Sequence, residues 1–150
     1  AESVVWGNFW NPNDLQFAYG TPELDEIRRR NSGGVYMVSR GGQILGSALR
    51  GENRDEQAGR RLATYRRPGE ATDWLVVAGG AMGRVEFWRL RNNGFSPEIE
   101  QRIPITLENA TDSFGFSVAI TRRTADGRSL MYIGEPNAGD RGKVHIFWVR

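Results

Sequence analysis

The sequence predicts an all-β protein assembled from repeated four-stranded antiparallel units, and three observations lead there. Runs such as "WLVVAG", "GRVEFWRL", "SLMYIG" and "KVHIFWV" carry the β-branched and aromatic weighting of strands, and turn residues interrupt the chain every 8 to 15 positions. Helical signal is confined to "TPELDEIRRR" (21–30), where a cap-like Thr21 and an acidic-to-basic drift suit a helix dipole; it reads as a long loop with at most one helical turn. The third observation is self-similarity. The closing stretch "DSFGFSVAITRRTADGRSLMYIGEPNAGDRGKVHIFWVR" has a fainter copy, "EQAGRRLATYRRPGEATDWLVVAGGAMGRVEFWRL", in mid-chain, and recurrence in register marks a repeat architecture.

The units follow in order. The first, about 1–50, matches Ser3-Val4-Val5 through Gly20-Thr21-Pro22 to Ser117-Val118-Ala119 through Gly134-Glu135-Pro136 at a constant offset of 114, and Gly33-Gly34-Val35-Tyr36 completes it. The second, about 58–106, sets Ala58-Gly59 over Phe114-Gly115 and keeps an offset of 56 through Leu62/Val118, Arg66/Arg122, Glu70/Asp126 and Val77/Ile133. Its strands are expected near 60–66, 73–79, 84–90 and 99–105. The third, about 114–150, takes three extra loop residues before Gly83-Arg84-Val85 falls over Gly142-Lys143-Val144, and it lacks an outer strand. Val4, Leu62 and Val118 then hold equivalent inner-strand positions and should pack alike against a neighbouring unit. Gly59 and Gly115 fall where the chain passes from an outer strand to the next inner one, a close approach that a side chain would obstruct. Gly20, Gly79 and Gly134 close the second strands.

The pattern Phe-Gly-x-Ser-Val-Ala, a polar loop, an apolar strand ending Gly-x-Pro, then Gly-x-Val-x-aromatic is written "FGFSVA", "LMYIGEP" and "GKVHIF" in the third unit and more faintly as "AGRRLA", "VVAGGA" and "FAYGTP" earlier. It resembles the FG-GAP repeat of integrin α-subunit propellers and their bacterial and fungal relatives, across nearly the whole chain. The resemblance implies a β-propeller of four-stranded blades, about three of them present, with Gly59, Phe114, Gly115, Gly134, Pro136 and Gly142 as structural residues, and an extracellular or cell-surface setting. It implies a non-catalytic binding or adhesion module, with a carbohydrate-binding lectin or a scaffold portion of a larger secreted enzyme as alternatives, because propellers host many functions. The family's calcium loop needs several oxygen ligands. Its four positions here hold Arg122, Thr124, Asp126 and Leu130; Arg66, Pro68, Glu70 and Trp74; and Asn8, Trp10, Pro12 and Gln16. None builds a cage, so no metal and no cofactor are expected, and Arg66 is expected to pair with Glu70, and Arg122 with Asp126.

Composition restricts function further. The 150 residues include 20 basic and 18 acidic ones, a net charge of +2, which gives little support to nucleic-acid binding, and no apolar run approaches a membrane helix. Cysteine is absent, which removes disulfides and thiol nucleophiles. The lone His145 lies in a strand with no evident partner, neither a nucleophile elbow nor a phosphate loop is written, and no catalytic residue is assigned. The five tryptophans (Trp6, Trp10, Trp74, Trp88, Trp148) are expected to fill the space between blades rather than to stack on sugars, with Trp10, in a predicted loop, the one with an alternative exposed position.

Recognition is expected on the face formed by loops joining second to third strands and fourth strands to the next unit: 22–33, 50–59, 107–115 and 136–142. The candidate ligand-binding residues are Asp25, Glu26, Arg28, Arg29, Arg30, Asp55, Asp112, Asp140 and Arg141, and a protein, glycan or other anionic ligand is the expected partner. Asn109 begins a glycosylation sequon on this side, relevant only in a eukaryotic secretory pathway. Propellers close with about four to eight blades. Three would leave apolar surface at both ends, so the remaining blades are expected from the same longer chain or, alternatively, from a second copy.

Overall fold

The computed structural model describes residues 3–25, 30–121 and 124–149. They form three antiparallel sheets and, among the described residues, no helix. The first sheet runs in chain order through β1 (Ser3–Gly7), β2 (Gln16–Gly20), β3 (Gly34–Ser39) and β4 (Ile44–Arg50). The second repeats the meander with β5 (Ala58–Tyr65), β6 (Trp74–Gly79), β7 (Val85–Asn92) and β8 (Pro97–Ile105). The third has β9 (Ser117–Ile120), β10 (Ser129–Glu135) and β11 (Lys143–Val149). Residues 21–25 are irregular and turn-like, Arg30 lies in a turn, and 26–29 of the candidate helical segment lie outside the described residues. No helix among the described residues is long and apolar enough to cross a membrane.

Strand register reproduces the sequence offsets. Ser3 pairs with Gly20, Arg61 with Ala78 and Ser117 with Gly134, so each sheet sets equivalent residues opposite one another. One detail differs: the offset of 56 carries Gly134 onto Ala78, which is therefore the counterpart of Gly20 and Gly134, and Gly79 sits one place further on, opposite Ala58. A bulge between Ala58 and Arg61 absorbs the sharp entry into β5.

Alternation along the strands gives every sheet two apolar faces, which is why the sheets stack. The trailing face of the first sheet (Val5, Ala18, Val35, Met37) packs on the leading face of the second (Leu62, Leu75, Val77, Trp88, Leu90). The trailing face of the second (Val76, Ala78, Val85, Phe87) packs in turn on the leading face of the third (Val118, Met131, Ile133, Phe147). Leu62 and Val118 therefore occupy like environments, as their register requires. Val4 does not. It is exposed, because it lies on the leading face of the first sheet, where no preceding sheet covers it. Trp74 and Trp88 are buried, Trp10 packs partly against the first core, and the exposed tryptophans are Trp6 and Trp148. The exposed alternative for Trp10 does not hold, since the 8–15 loop folds back onto the core beside Phe9.

Candidate functional site

The loops after the second and fourth strands converge on one side of the stack and are braced to one another by main-chain hydrogen bonds. The Asp55 amide donates to Arg30 O at 2.8 Å, Gln57 to Asn31 O at 3.0 Å and Ala58 to Ser32 O at 3.0 Å, tying 30–32 to 55–58. Ala81 donates to Glu56 O at 3.3 Å and Gly83 to Asp112 O at 2.9 Å, which extends the bracing across the second sheet to the third. The Asn137 amide reaches Ser113 Oγ at 3.1 Å. The loops thus form one continuous surface.

Beneath it lies a charged network that the sequence reading did not assign. Glu56 and Glu86 are buried. The Arg84 guanidinium donates to both oxygens of Glu56, at 2.5 and 3.2 Å, and to Glu86 Oε2 at 2.9 Å. Arg102 donates to Glu86 Oε1 at 3.2 Å and to Arg50 O at 2.7 Å, while its guanidinium lies 4.8 Å from the ring centre of Trp88, whose indole N–H also donates to Glu86 at 2.9 Å. Burial alone would raise the Glu56 pKa; hydrogen bonds from Arg84 and Asn53 and the Arg84 charge outweigh it and hold the carboxyl below its ordinary range. A signal for this network was present: in "RVEFW" a period of two sets Arg84, Glu86 and Trp88 on one face. Glu56, 28 residues upstream of Arg84, carries no such local mark.

A second network occupies the equivalent corner of the third sheet. Glu135, also buried, accepts from His145 Nε2 at 2.9 Å and from the Thr111 amide and hydroxyl at 2.5 and 2.9 Å. The His145 ring meets Phe114 edge-on at 5.3 Å. The histidine expected without a partner is thus engaged on both sides, because register carries it beside the end of β10. The hydrogen bond from His145, followed by those from Thr111, holds the Glu135 carboxyl below its ordinary range. A depressed carboxylate adds stability above its unfolded pKa that disappears as pH falls through the folded value. The stability gap between the wild type and Glu135→Gln, read from urea midpoints, is therefore expected to be widest at neutral pH and to narrow below about pH 4.

The candidate ligand residues fall into two groups. Asp25, Arg30 and Asp55 come together: Asp25 Oδ1 accepts from the Asn31 amide at 2.8 Å, Arg50 donates to Asp25 O at 3.1 Å, and Asn31 Nδ2 contacts Asp55 Oδ1 at 3.4 Å. Glu26, Arg28 and Arg29 lie outside the described residues. Asp112, Asp140 and Arg141 are exposed on the third-sheet side. There Arg141 and Lys143 border a cleft of about 300 Å³ together with Phe116, Ser117, Glu135 and Pro136. Asn109 is exposed and left-handed, with φ 62°, in a turn closed by the Ala110 amide on Leu107 O.

The opposite side carries the loops where the resemblance would place calcium. Arg66 does not take Glu70; its guanidinium grips Asp73 at 3.0 and 3.1 Å and reaches Asn8 Oδ1 at 3.2 Å. Asp73 is favoured because it directly precedes β6 beside Arg66 and also receives the Asn8 amide, at 2.8 Å, whereas Glu70 turns to Arg89 and the Trp74 indole. Asp126 is pushed down to about 2 by hydrogen bonds from Thr124 and Arg128; its expected partner Arg122 lies outside the described residues. Among the described residues no group of three or more His, Asp or Glu side chains is placed to hold a metal ion. No protein-family model matches this chain, and no curated protein matches it.

Proposed function

We propose that the three sheets are successive blades of an FG-GAP-like β-propeller and that the chain is a non-catalytic binding module, recognising an acidic protein or other anionic ligand through its braced loop face. The observation that carries this reading is the loop face itself: exposed charges, Arg30 and Arg141 among them, project from loops tied to each other by main-chain bonds and, at the 136–142 loop, by the Asn137 amide on Ser113 Oγ. Such a surface is preorganised, so binding costs little ordering entropy. The propeller reading is supported by the head-to-tail stacking of like faces. The non-catalytic reading is supported by the engagement of Glu56, Glu86 and Glu135 in intramolecular bonds, which leaves their carboxylates committed to structure.

The test uses a polyglutamate peptide as probe, with binding followed by fluorescence anisotropy at low and physiological salt. The double variant Arg30→Glu/Arg141→Glu should weaken binding about tenfold and flatten its salt dependence, since peripheral charges act through steering. Arg67→Glu, an exposed charge on the opposite side, should leave binding unchanged. Equal losses in both variants, or no binding by the wild type, would overturn the anionic reading, and capture of neutral sugars on a glycan array would replace it with the lectin one.

A further inference from the structure

The two outermost sheet faces of this chain are the two halves of a contact that it already makes twice. On the trailing faces, Val35 and Met37 of β3 are 0% exposed and their counterparts Val85 and Phe87 of β7 are 0% and 7% exposed, because the next sheet covers them. The same repeat positions in β11 are Val144 and Ile146, still apolar, yet 67% and 60% exposed. Pairing across the sheet adds Tyr132 to this face, opposite Ile146, and Leu130, opposite Trp148. On the leading side, Leu62 is covered by the first sheet, whereas its counterpart Val4 is 57% exposed and Trp6 64%. Phe17 and Tyr19 share that face by register with Trp6 and Val4, and Tyr19 stacks on Tyr36 at 5.3 Å.

From this we infer that the trailing face of the third sheet receives the leading face of the first sheet of a second copy of this chain. The chain supplies both surfaces, in the same residue classes and at the same repeat positions as its internal contacts, so the occupant is specified by an interface already present. Contiguous apolar surfaces of this kind mark interaction sites in folded proteins. The contact is head-to-tail, and on the propeller reading, on which this inference rests, two copies close it on themselves. Three sheets from each copy give a ring of six, within the range of about four to eight at which propellers close. Twofold symmetry then makes the two seams identical, and the assembly stops at two.

Sedimentation velocity of the 150-residue chain should give a single species of twice 16.9 kDa whose mass does not rise with concentration. Trp6→Asp damages only the leading surface and Ile146→Asp only the trailing one; both sites are exposed in the single chain, so each variant should keep the wild-type circular dichroism spectrum. Each alone should run as a monomer. Mixed in equal amounts they should associate into a dimer, because the intact trailing face of one meets the intact leading face of the other. A folded wild-type monomer would overturn the inference, as would persistence of a dimer in either variant alone, which requires like faces to pair. Mass that climbs with concentration would show that the faces match but do not close, which sinks the six-sheet ring and the propeller reading with it while leaving the ligand test untouched.

Discussion

Replacing Arg84 by methionine is expected to destabilise the fold by about 3 to 5 kcal/mol, the loss associated with removing one partner of a buried ion pair. Against a total stability of about 5 to 15 kcal/mol this is a large fraction, and it should lower Tm by roughly 10 °C or more. The cost comes from what stays behind. Glu56 and Glu86, both nearly inaccessible to water, keep Asn53 and Arg102 as partners but lose the cation that bridges them. Burial opposes the charged form of Arg84, yet its bonds to Glu56 and Glu86 prevail and raise its pKa, just as the Arg84 and Asn53 bonds hold the Glu56 carboxyl below its ordinary range. The triple variant Arg84→Met/Glu56→Gln/Glu86→Gln should recover much of the loss, since it removes the uncompensated charges along with the cation. Arg91→Met breaks the exposed pair with Glu98 and should cost less than about 1 kcal/mol. Thermal unfolding of the four proteins decides the matter. An Arg84→Met loss no larger than that of Arg91→Met would mean that water reaches the network.

Most of the strand plan was legible because each strand advertises itself locally. β6 reads as a continuous apolar run and β7 as apolar and aromatic residues interleaved with charge, and the offset of 56 that aligns Leu62 with Val118 survives as strand register. Local pattern failed where a partner was distant. Spacing offered Glu70 to Arg66, but strand pairing of Tyr65 with Trp74 brings Asp73 alongside, and Asn8 arrives from the first sheet. The Glu56–Arg84 contact likewise depends on a fourth-to-first loop folding over a second-to-third loop, which no short motif encodes. Val4 shows a third kind of limit: the repeat predicted which surface it belongs to, while its exposure depends on what stands next to that surface. The candidate loop residues among those described were readable as exposed charge, but the bracing between the loops appears only in three dimensions.

Gly59→Ala and Gly115→Ala are each expected to cost about 3 kcal/mol or more, beyond the roughly 1 to 3 kcal/mol that a strained backbone conformation alone carries. Two penalties coincide at these positions. The backbone angles are φ 89° and 94°, a region that residues with a Cβ rarely adopt. A Cβ placed there would also lie 2.5 Å from Gly34 O at Gly59 and 2.6 Å from Arg84 O at Gly115. Gly34 and Arg84 hold the same place in successive units, each just before the buried valine that opens the apolar part of its third strand, so the two close approaches are one feature repeated. Backbone oxygens cannot swing aside as the tip of a side chain would, and relief would require moving one sheet away from the next. Gly69 and Gly127 separate the two penalties: their φ angles are 83° and 81°, but an added Cβ meets nothing within 4 Å. Alanine at either should cost only the backbone strain, and the difference from Gly59→Ala and Gly115→Ala measures the contact between sheets. Because the two approaches lie at different seams, the double variant Gly59→Ala/Gly115→Ala should show nearly additive losses. Urea unfolding followed by tryptophan fluorescence reads all of these. Equal midpoints for Gly59→Ala and Gly69→Ala would mean that neighbouring sheets stand further apart at that corner than the main-chain geometry places them.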